Sequence, residues 1–280
     1  MTHPVFKDPL LQAEFNDKGY VVLNLLSDKE VNALSAIYEK YFPDKSSPFY
    51  ISTFHSDFET RRNISVLTQQ VIASHVNELF VNYKFVVSVF ALKRANNPSH
   101  FELHQDITVT DENLYTGVSV WCPLQDVDES NGGLYIVPRS HLTPSAPRGM
   151  NLPGAIDNVR EYIVRNFAKP VKLNVGQVII WNHRLMHGSY PNQQNADRVA
   201  AVFLLIPQVA PVLLYYGTAP TASDIYAAEV LKLEDGAYDY FDVKTKPVFG
   251  TSTLRHENIL IEMLDTPKID MIANKLGFTS

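Results

Sequence analysis

A histidine and an aspartate stand one residue apart in the stretch FELHQD, residues 101–106. The flanking residues read as strand, and in a strand side chains two positions apart share a face. His104 and Asp106 would therefore point the same way, with Gln105 on the other side. One imidazole nitrogen and one carboxylate oxygen, offered by neighbouring positions of a stiff element, can reach one metal ion. A third ligand has to come from elsewhere, and the best candidate is His187 in the run VGQVIIWNHRLMHGS, residues 175–189. That run reads as a strand ending near His187. If it lies beside the strand carrying His104, a face of two histidines and one carboxylate is complete.

Such a face leaves three octahedral positions open, which suits a non-haem Fe(II) oxygenase taking an oxo-acid cosubstrate and dioxygen. A closed tetrahedral zinc site fits less well. Arg198 adds to this reading. It follows His187 by eleven residues, past PNQQNAD, a loop rich in turn formers. A hairpin of that length brings the chain back beside itself, with Arg198 near the start of the next strand and facing the same cavity. A buried guanidinium needs an anionic partner, and its fork fits a carboxylate at two points. The distal carboxylate of 2-oxoglutarate would be that partner.

The elements that must position these groups are legible in outline. PLLQAEFNDKG reads as a short helix stopped by Gly19, and YVVLNLL (20–26) as a buried strand. Ser27 and Glu30 form a capping box. The helix they open carries Val31, Leu34, Ile37, Tyr38 and Tyr41 at helical spacing, with Pro43 just beyond its end. A second helical pattern runs from about 60 to 82. From residue 84 the character changes to β-rich runs at 83–94, 116–124, 133–138, 169–175, 177–182 and 198–207, separated by turn signals such as NNPS, DESNGG and NVGQ. This order predicts antiparallel strands forming a barrel or sandwich, with the early helices packed outside. A helix is expected within 151–168. The tail reads as a short strand at 212–217, irregular chain, and a helix near 255–275.

Composition narrows the classes. The chain has 280 residues, 45% of them hydrophobic, enough for a real core. The net charge of -6 and the absence of a long Lys/Arg run argue against a nucleic-acid or membrane-surface partner. A single cysteine, Cys122, excludes an internal disulfide and a thiolate zinc site, and is most simply core. No secretory leader and no membrane span are read, so a cytoplasmic protein is the expectation. The 14 Tyr and 15 Phe suggest half-buried strands or an aromatic pocket.

Other polar residues have blander readings. His183 and His187 are spaced i, i+4, but no Glu follows His183 as a helical zinc pair requires. His183 reads as a supporting or pocket-rim residue, and His100 as a loop residue. His141 would hydrogen-bond backbone where a strand leaves the barrel. Arg139 is either a substrate contact or an exposed strand-end charge, and Arg61 and Arg62 read as helix-surface charges. Lys93 and Arg94 point to opposite faces, and one of them is a candidate for the cavity.

The sequence resembles the phytanoyl-CoA dioxygenase family of Fe(II)/2-oxoglutarate oxygenases. The resemblance rests on HQD (104–106), VWCPLQDVDESNGGLYIVPRSH (120–141), GQVIIWNHRLMHGS (176–189) and Arg198, and covers roughly residues 15–207. It implies a double-stranded β-helix, or jelly roll: a mainly β, cupin-like fold with flanking helices. By position, His104, Asp106 and His187 match the iron ligands and Arg198 the 2-oxoglutarate clamp. Ser189 and Trp121 match positions that line the cosubstrate site. Some relatives carry Gly or Ala in place of the carboxylate and bind halide there, so Asp106 points to hydroxylation.

The resulting expectation is one domain over residues 1–280, with a jelly-roll core at about 84–217, a helical part at 1–83 and an extension at 218–280. It would use Fe(II), 2-oxoglutarate and O2 to hydroxylate an unactivated C–H of a small metabolite. Arg and Lys residues in the loops suggest that the metabolite is anionic. A cupin-type metal enzyme not using 2-oxoglutarate, or a non-catalytic jelly-roll binding protein, are the other readings. The pattern assigns no oligomeric state.

Overall fold

The computed structural model describes residues 3–41, 49–54, 57–96, 100–222, 224–234, 236, 246–247 and 250–278. Pro43 and the end of the NNPS turn lie outside them.

Asp8 opens the first helix, α1 (Pro9–Lys18), by accepting from the amides of Leu10 and Leu11, and Gly19 closes it in the left-handed region at φ 84°. After β1 (Tyr20–Asn24), the capping box starts α2 (Asp28–Tyr41). The Glu30 carboxylate accepts from the Ser27 amide at 2.8 Å and from its hydroxyl at 2.7 Å. A three-residue strand, β2 (Phe49–Ile51), leads to the long α3 (Phe58–Leu79). Then come β3 (Tyr83–Lys93), β4 (Phe101–His104), β5 (Val118–Pro123) and β6 (Leu134–Ile136). After α4 (Arg160–Phe167) follow β7 (Lys169–Pro170), β8 (Gln177–Asn182), β9 (His187–Ser189) and β10 (Arg198–Pro207). The tail holds β11 (Val212–Ala222), β12 (Ile225–Leu233), β13 (Thr251–Leu260) and α5 (Thr266–Leu276).

The strands form a six-stranded antiparallel sheet in the order β1-β8-β5-β10-β3-β2 and a four-stranded one in the order β4-β9-β6-β7. Alternation on β10 shows how they pack. Val199, Ala201, Phe203 and Leu205 face the helices and join Leu34, Ile64 and Ile72 in one core. Ala200 and Val202 face inward and meet Leu134, Ile136 and Trp181 between the sheets. This is the jelly roll, with helices covering the outer face of its larger sheet. Phe203 is fully buried, and truncating it to Ala would cost about 3–5 kcal/mol.

The tail departs from the sequence reading. β11, β12 and β13 make a three-stranded antiparallel meander, and the final helix begins only at Thr266. The segment 251–260 (TSTLRHENIL), expected from residue 255 on to start that helix, is paired along its length with β12. IYAAEVLKL (225–233) is rich in good helix formers, yet pairing on both sides holds it extended, so tertiary context overrides propensity. Two smaller corrections concern strand lengths. β1 is a half-buried edge strand ending at Asn24, and 169–175 contributes only Lys169–Pro170 and a bridge from Leu173 to Val127. Arg61 is also not a surface charge: it is buried, its guanidinium 4.8 Å from the Phe58 ring centroid, whereas Arg62 is exposed.

Candidate metal centre

β4 and β9 pair so that His104 and His187 are direct cross-strand partners. Their ring centroids lie 4.3 Å apart. Asp106 joins them from just beyond β4, since the ladder ends at His104 and the next residues are not in a strand. Strand alternation alone therefore does not place the aspartate, contrary to the sequence argument. His187 likewise does not end the strand of VGQVIIWN. That strand stops at Asn182, and after a tight turn His187 opens β9 in the other sheet. Asp106 Oδ1 is 3.6 Å from His187 Nε2 and 3.9 Å from His104 Nε2. Among the described residues these three form the one group whose ligand atoms converge, all within 4.8 Å.

The remaining atoms of the three side chains are already engaged, which tests whether the group fits a metal. His104 Nδ1 lies 2.8 Å from the Glu102 carbonyl and His187 Nδ1 2.9 Å from the Leu185 carbonyl. Each contact requires Nδ1–H, which leaves Nε2 with its lone pair facing the centre. Burial pushes His104 down to about 3, with His187 adding to it, so the ring is neutral as a ligand must be. Asp106 Oδ2 accepts from the Ser119 hydroxyl and the Trp181 indole N–H, both at 2.8 Å, leaving Oδ1 toward the histidines. Burial works against ionising Asp106, but His187, His183, His104 and the Trp181 bond together hold it down at about 2. Two imidazole nitrogens and one ionised carboxylate are the donor set of an open, octahedral Fe(II) face.

Beside this centre is a second, cationic feature. Arg198, the first residue of β10, is buried, and its Nε–H donates to the Gly132 carbonyl at 3.1 Å. Nη1 donates to the Ala91 carbonyl at 3.3 Å, and the guanidinium sits 5.4 Å from the Trp121 ring centroid. Burial lowers its pKa to about 9. Among the described residues no carboxylate pairs with it in an ion pair. Lys93 is its cross-strand partner, also buried, and donates from Nζ to the carbonyls of Ser189 (3.1 Å) and Tyr190. Burial, then the charge of Arg198, brings Lys93 down to about 7. Two buried cationic side chains thus share one face of the β3–β10 pair.

Ser119 and Trp121 link the two features, because they lie two apart on β5 and so on one face, about 7 Å along the strand. Ser119 holds Asp106, and Trp121 lies under Arg198. Ser189 follows His187 by two on β9, shares its face, and is buried. The residues singled out from the sequence are thus brought into one interior.

Of the pair Lys93 and Arg94, the structure turns Lys93 inward, while Arg94 binds Asp197 at 2.7 Å. His183 is buried with the Gly117 backbone against its ring, and its Nε2 has no hydrogen-bond partner; it is not one of the converging ligands. His141 Nε2 meets the Asn16 carbonyl at 3.1 Å, the backbone role expected of it, and His100 is exposed. Arg139 binds Asp17 and the Leu276 carbonyl, contacts that tie it to α1 and the C-terminal helix. Sequence reasoning passed over Ser119 and Trp181. Their only signal is position on strands inferred to lie in the core, and nothing local links them to residue 106.

The model of the phytanoyl-CoA dioxygenase family matches residues 15–200, a span containing all three converging groups and Arg198. No curated protein matches the chain. Several solved structures share its fold. EvdO2 from Micromonospora carbonacea var. aurantiaca, complexed with 2-oxoglutarate, is 19% identical, with 74% of this chain and 94% of that one covered and a TM-score of 0.51. HygX from Streptomyces hygroscopicus, with nickel and 2-oxoglutarate bound, is 15% identical (72% and 88% covered; TM-score 0.54). SnoK, a non-haem α-ketoglutarate-dependent carbocyclase from nogalamycin biosynthesis, is 17% identical (73% and 86% covered; TM-score 0.53). At these identities the likeness is one of fold.

Proposed function

The chain belongs to the phytanoyl-CoA dioxygenase family, and on that premise we propose that it is an Fe(II)- and 2-oxoglutarate-dependent hydroxylase. It would insert oxygen into an unactivated C–H bond of a small molecule and release succinate and CO2. The observation that carries this reading is the convergence of His104, Asp106 and His187 with every other polar atom of the three tied off. These three would hold Fe(II). When bound, the iron would supply the oxidising chemistry, activating dioxygen against the keto acid.

The chain's own contribution is to bind, orient and exclude water. Arg198 would take the distal carboxylate of 2-oxoglutarate, with Lys93 as a second cation across the strand pair and Trp121 and Ser189 lining the place. Two buried cationic side chains facing one interior favour an oxo-acid cosubstrate over a cupin-type enzyme without one and over a non-catalytic jelly roll. We read the whole chain as one catalytic unit, because the core that buries Val86, Val87 and Val89 of β3 also takes in Val212, Leu214, Leu231 and Leu233 of the tail meander.

The substrate is proposed as a small organic molecule. The anionic character suggested by loop arginines loses two of its carriers, because Arg148 pairs with Glu112 and Arg160 with Glu102 and Asp157. The fold likeness to SnoK supports a second reading, ring closure from the same C–H abstraction.

The test is a panel of small molecules incubated with the iron-loaded protein, 2-oxoglutarate and O2, reading succinate release and product mass. Substrate-stimulated succinate with a product heavier by one oxygen atom is the expected result. A product lighter by two hydrogens would favour ring closure, and 2-oxoglutarate that neither binds nor turns over would overturn both.

A further inference from the structure

The segment carrying Asp106 has no ladder to hold it. β4 ends at His104, and the following residues run through extended chain and a turn to Glu112. Ser119 and Trp181 fix one carboxylate oxygen, but the main chain of residue 106 needs its own anchor. Arg148 supplies one. Its Nε–H donates to the Asp106 carbonyl at 2.7 Å. The two remaining arms grip Glu112, Nη1 to Oε2 at 3.0 Å and Nη2 to Oε1 at 2.5 Å. The backbones are stitched as well: Thr108 N–H donates to the Arg148 carbonyl at 2.9 Å, and Arg148 N–H to the Thr108 hydroxyl at 3.0 Å. One guanidinium thus ties both ends of the loop.

This is not a loose surface pair. The Arg148 and Glu112 side chains are only 12% and 15% exposed, and the fork geometry gives direction as well as attraction. Arg148 is itself held from behind. Met150 N–H donates to the Tyr215 carbonyl at 2.9 Å, and Gly217 N–H to the Met150 carbonyl at 2.8 Å. Gly149 lies so close to β11 that a Cβ there would come within 2.0 Å of the Tyr215 carbonyl oxygen. A continuous line of contacts therefore runs from β11 through Arg148 to Asp106, and β11 lies beyond residues 15–200 that match the family.

We propose that Arg148, braced by Glu112 and seated on β11, is a positioning residue that aims the Asp106 carboxylate at the two imidazoles. The tail meander is thereby part of the support of the metal centre. The inference rests on His104, Asp106 and His187 being the metal ligands. A carboxylate on a ladderless loop can swing, and each degree of freedom removed beforehand need not be removed when the metal binds. Outer contacts of this kind are commonly worth about 10- to 100-fold in metal affinity.

The experiment is anaerobic cobalt(II) titration of the full chain, with Glu112→Gln and Arg148→Lys made in the parent and in the Asp106→Ala background. Glu112→Gln keeps the shape and weakens the grip; Arg148→Lys keeps the charge but cannot serve the Asp106 carbonyl and both Glu112 oxygens. Each should weaken cobalt about 10- to 100-fold in the parent and change nothing further once Asp106 is gone. Variants that bind cobalt as the parent does would overturn the inference. So would an equal loss in the Asp106→Ala background, or variants unfolded without metal, because the clasp would then serve the fold at large. A parent that binds no cobalt would sink the ligand assignment first and this inference with it.

Discussion

Lys93 and Arg198 face each other across the antiparallel pair β3–β10, both buried and both cationic residues, with the indole of Trp121 beside the guanidinium. Burial disfavours charge on both side chains, and an anion bound beside Arg198 would offset that.

A pH dependence follows. Lys93 is lowered from 10.5 to about 7, so between those values the unfolded chain binds one more proton than the folded one. Stability contributed by this group therefore rises with pH through that window, by at most about 1.4 kcal/mol per pH unit. With cobalt(II) and 2-oxoglutarate bound, the dianion should restore the lysine's charge, so ligand stabilisation is largest below about pH 7 and shrinks above it. Melting midpoints against pH, with and without ligand, for the parent and Lys93→Met will show it. If the parent-minus-variant curve is flat, the lysine does not titrate there.

Arg198→Gln should leave cobalt binding within a factor of a few of the parent and weaken 2-oxoglutarate by about 1.5–3 kcal/mol, the worth of a charge-assisted contact. Calorimetry of the cobalt-loaded protein separates the two affinities. Equal 2-oxoglutarate affinity in parent and variant would remove Arg198 from the cosubstrate site.

Asp106→Ala should sharply reduce the rise in melting temperature at a given cobalt(II) concentration, leaving only the weaker binding of the two imidazoles. In the parent that rise corresponds to about 2.7 kcal/mol at a hundredfold excess over Kd. Trp181→Phe removes one of two donors to Oδ2 and should retain binding at reduced affinity. A variant Trp181→Phe that matches Asp106→Ala would mean the indole is needed for the fold of the site and not for aim alone.

Gly188 sits between His187 and Ser189, where a Cβ would come within 2.3 Å of the Tyr135 hydroxyl and 2.7 Å of the Phe101 carbonyl oxygen. Gly188→Ala should therefore push β9 off β4 and loosen the His104–His187 pair, weakening cobalt while the helix-side core stays intact. Far-ultraviolet circular dichroism together with cobalt titration checks both halves; unchanged affinity would show that the neighbours yield.

Ser27→Ala removes a cap far from the centre. It should cost about 1 kcal/mol of stability with cobalt affinity unchanged. Denaturant unfolding measures the first and titration the second, and a change in metal affinity would connect α2 to the site by a route no contact suggests.

How much of this was legible beforehand differs by kind of feature. Local chemistry was. Gly19, the Ser27–Glu30 box and the long apolar strands announce themselves because their causes lie within a few residues. His104, Asp106, His187 and Arg198 could be picked out as types at suggestive spacings, and the strand starting at Arg198 begins where expected. What could not be read was anything depending on a distant partner. IYAAEVLKL becomes a strand because β11 and β13 flank it. Arg61 is buried because α3 lies against the sheet.

The sequence by itself determined which groups were available to hold a metal and an anion, since residue type sets donor atoms and charge. Only the tertiary structure decided that Asp106 reaches the site from outside the strand, that Lys93 rather than Arg94 turns inward, and that Ser119, Trp181 and Arg148 hold the carboxylate. Each of those outcomes is fixed by contacts between residues from 13 to 105 positions apart along the chain, and local pattern carries no information about contacts that only packing creates.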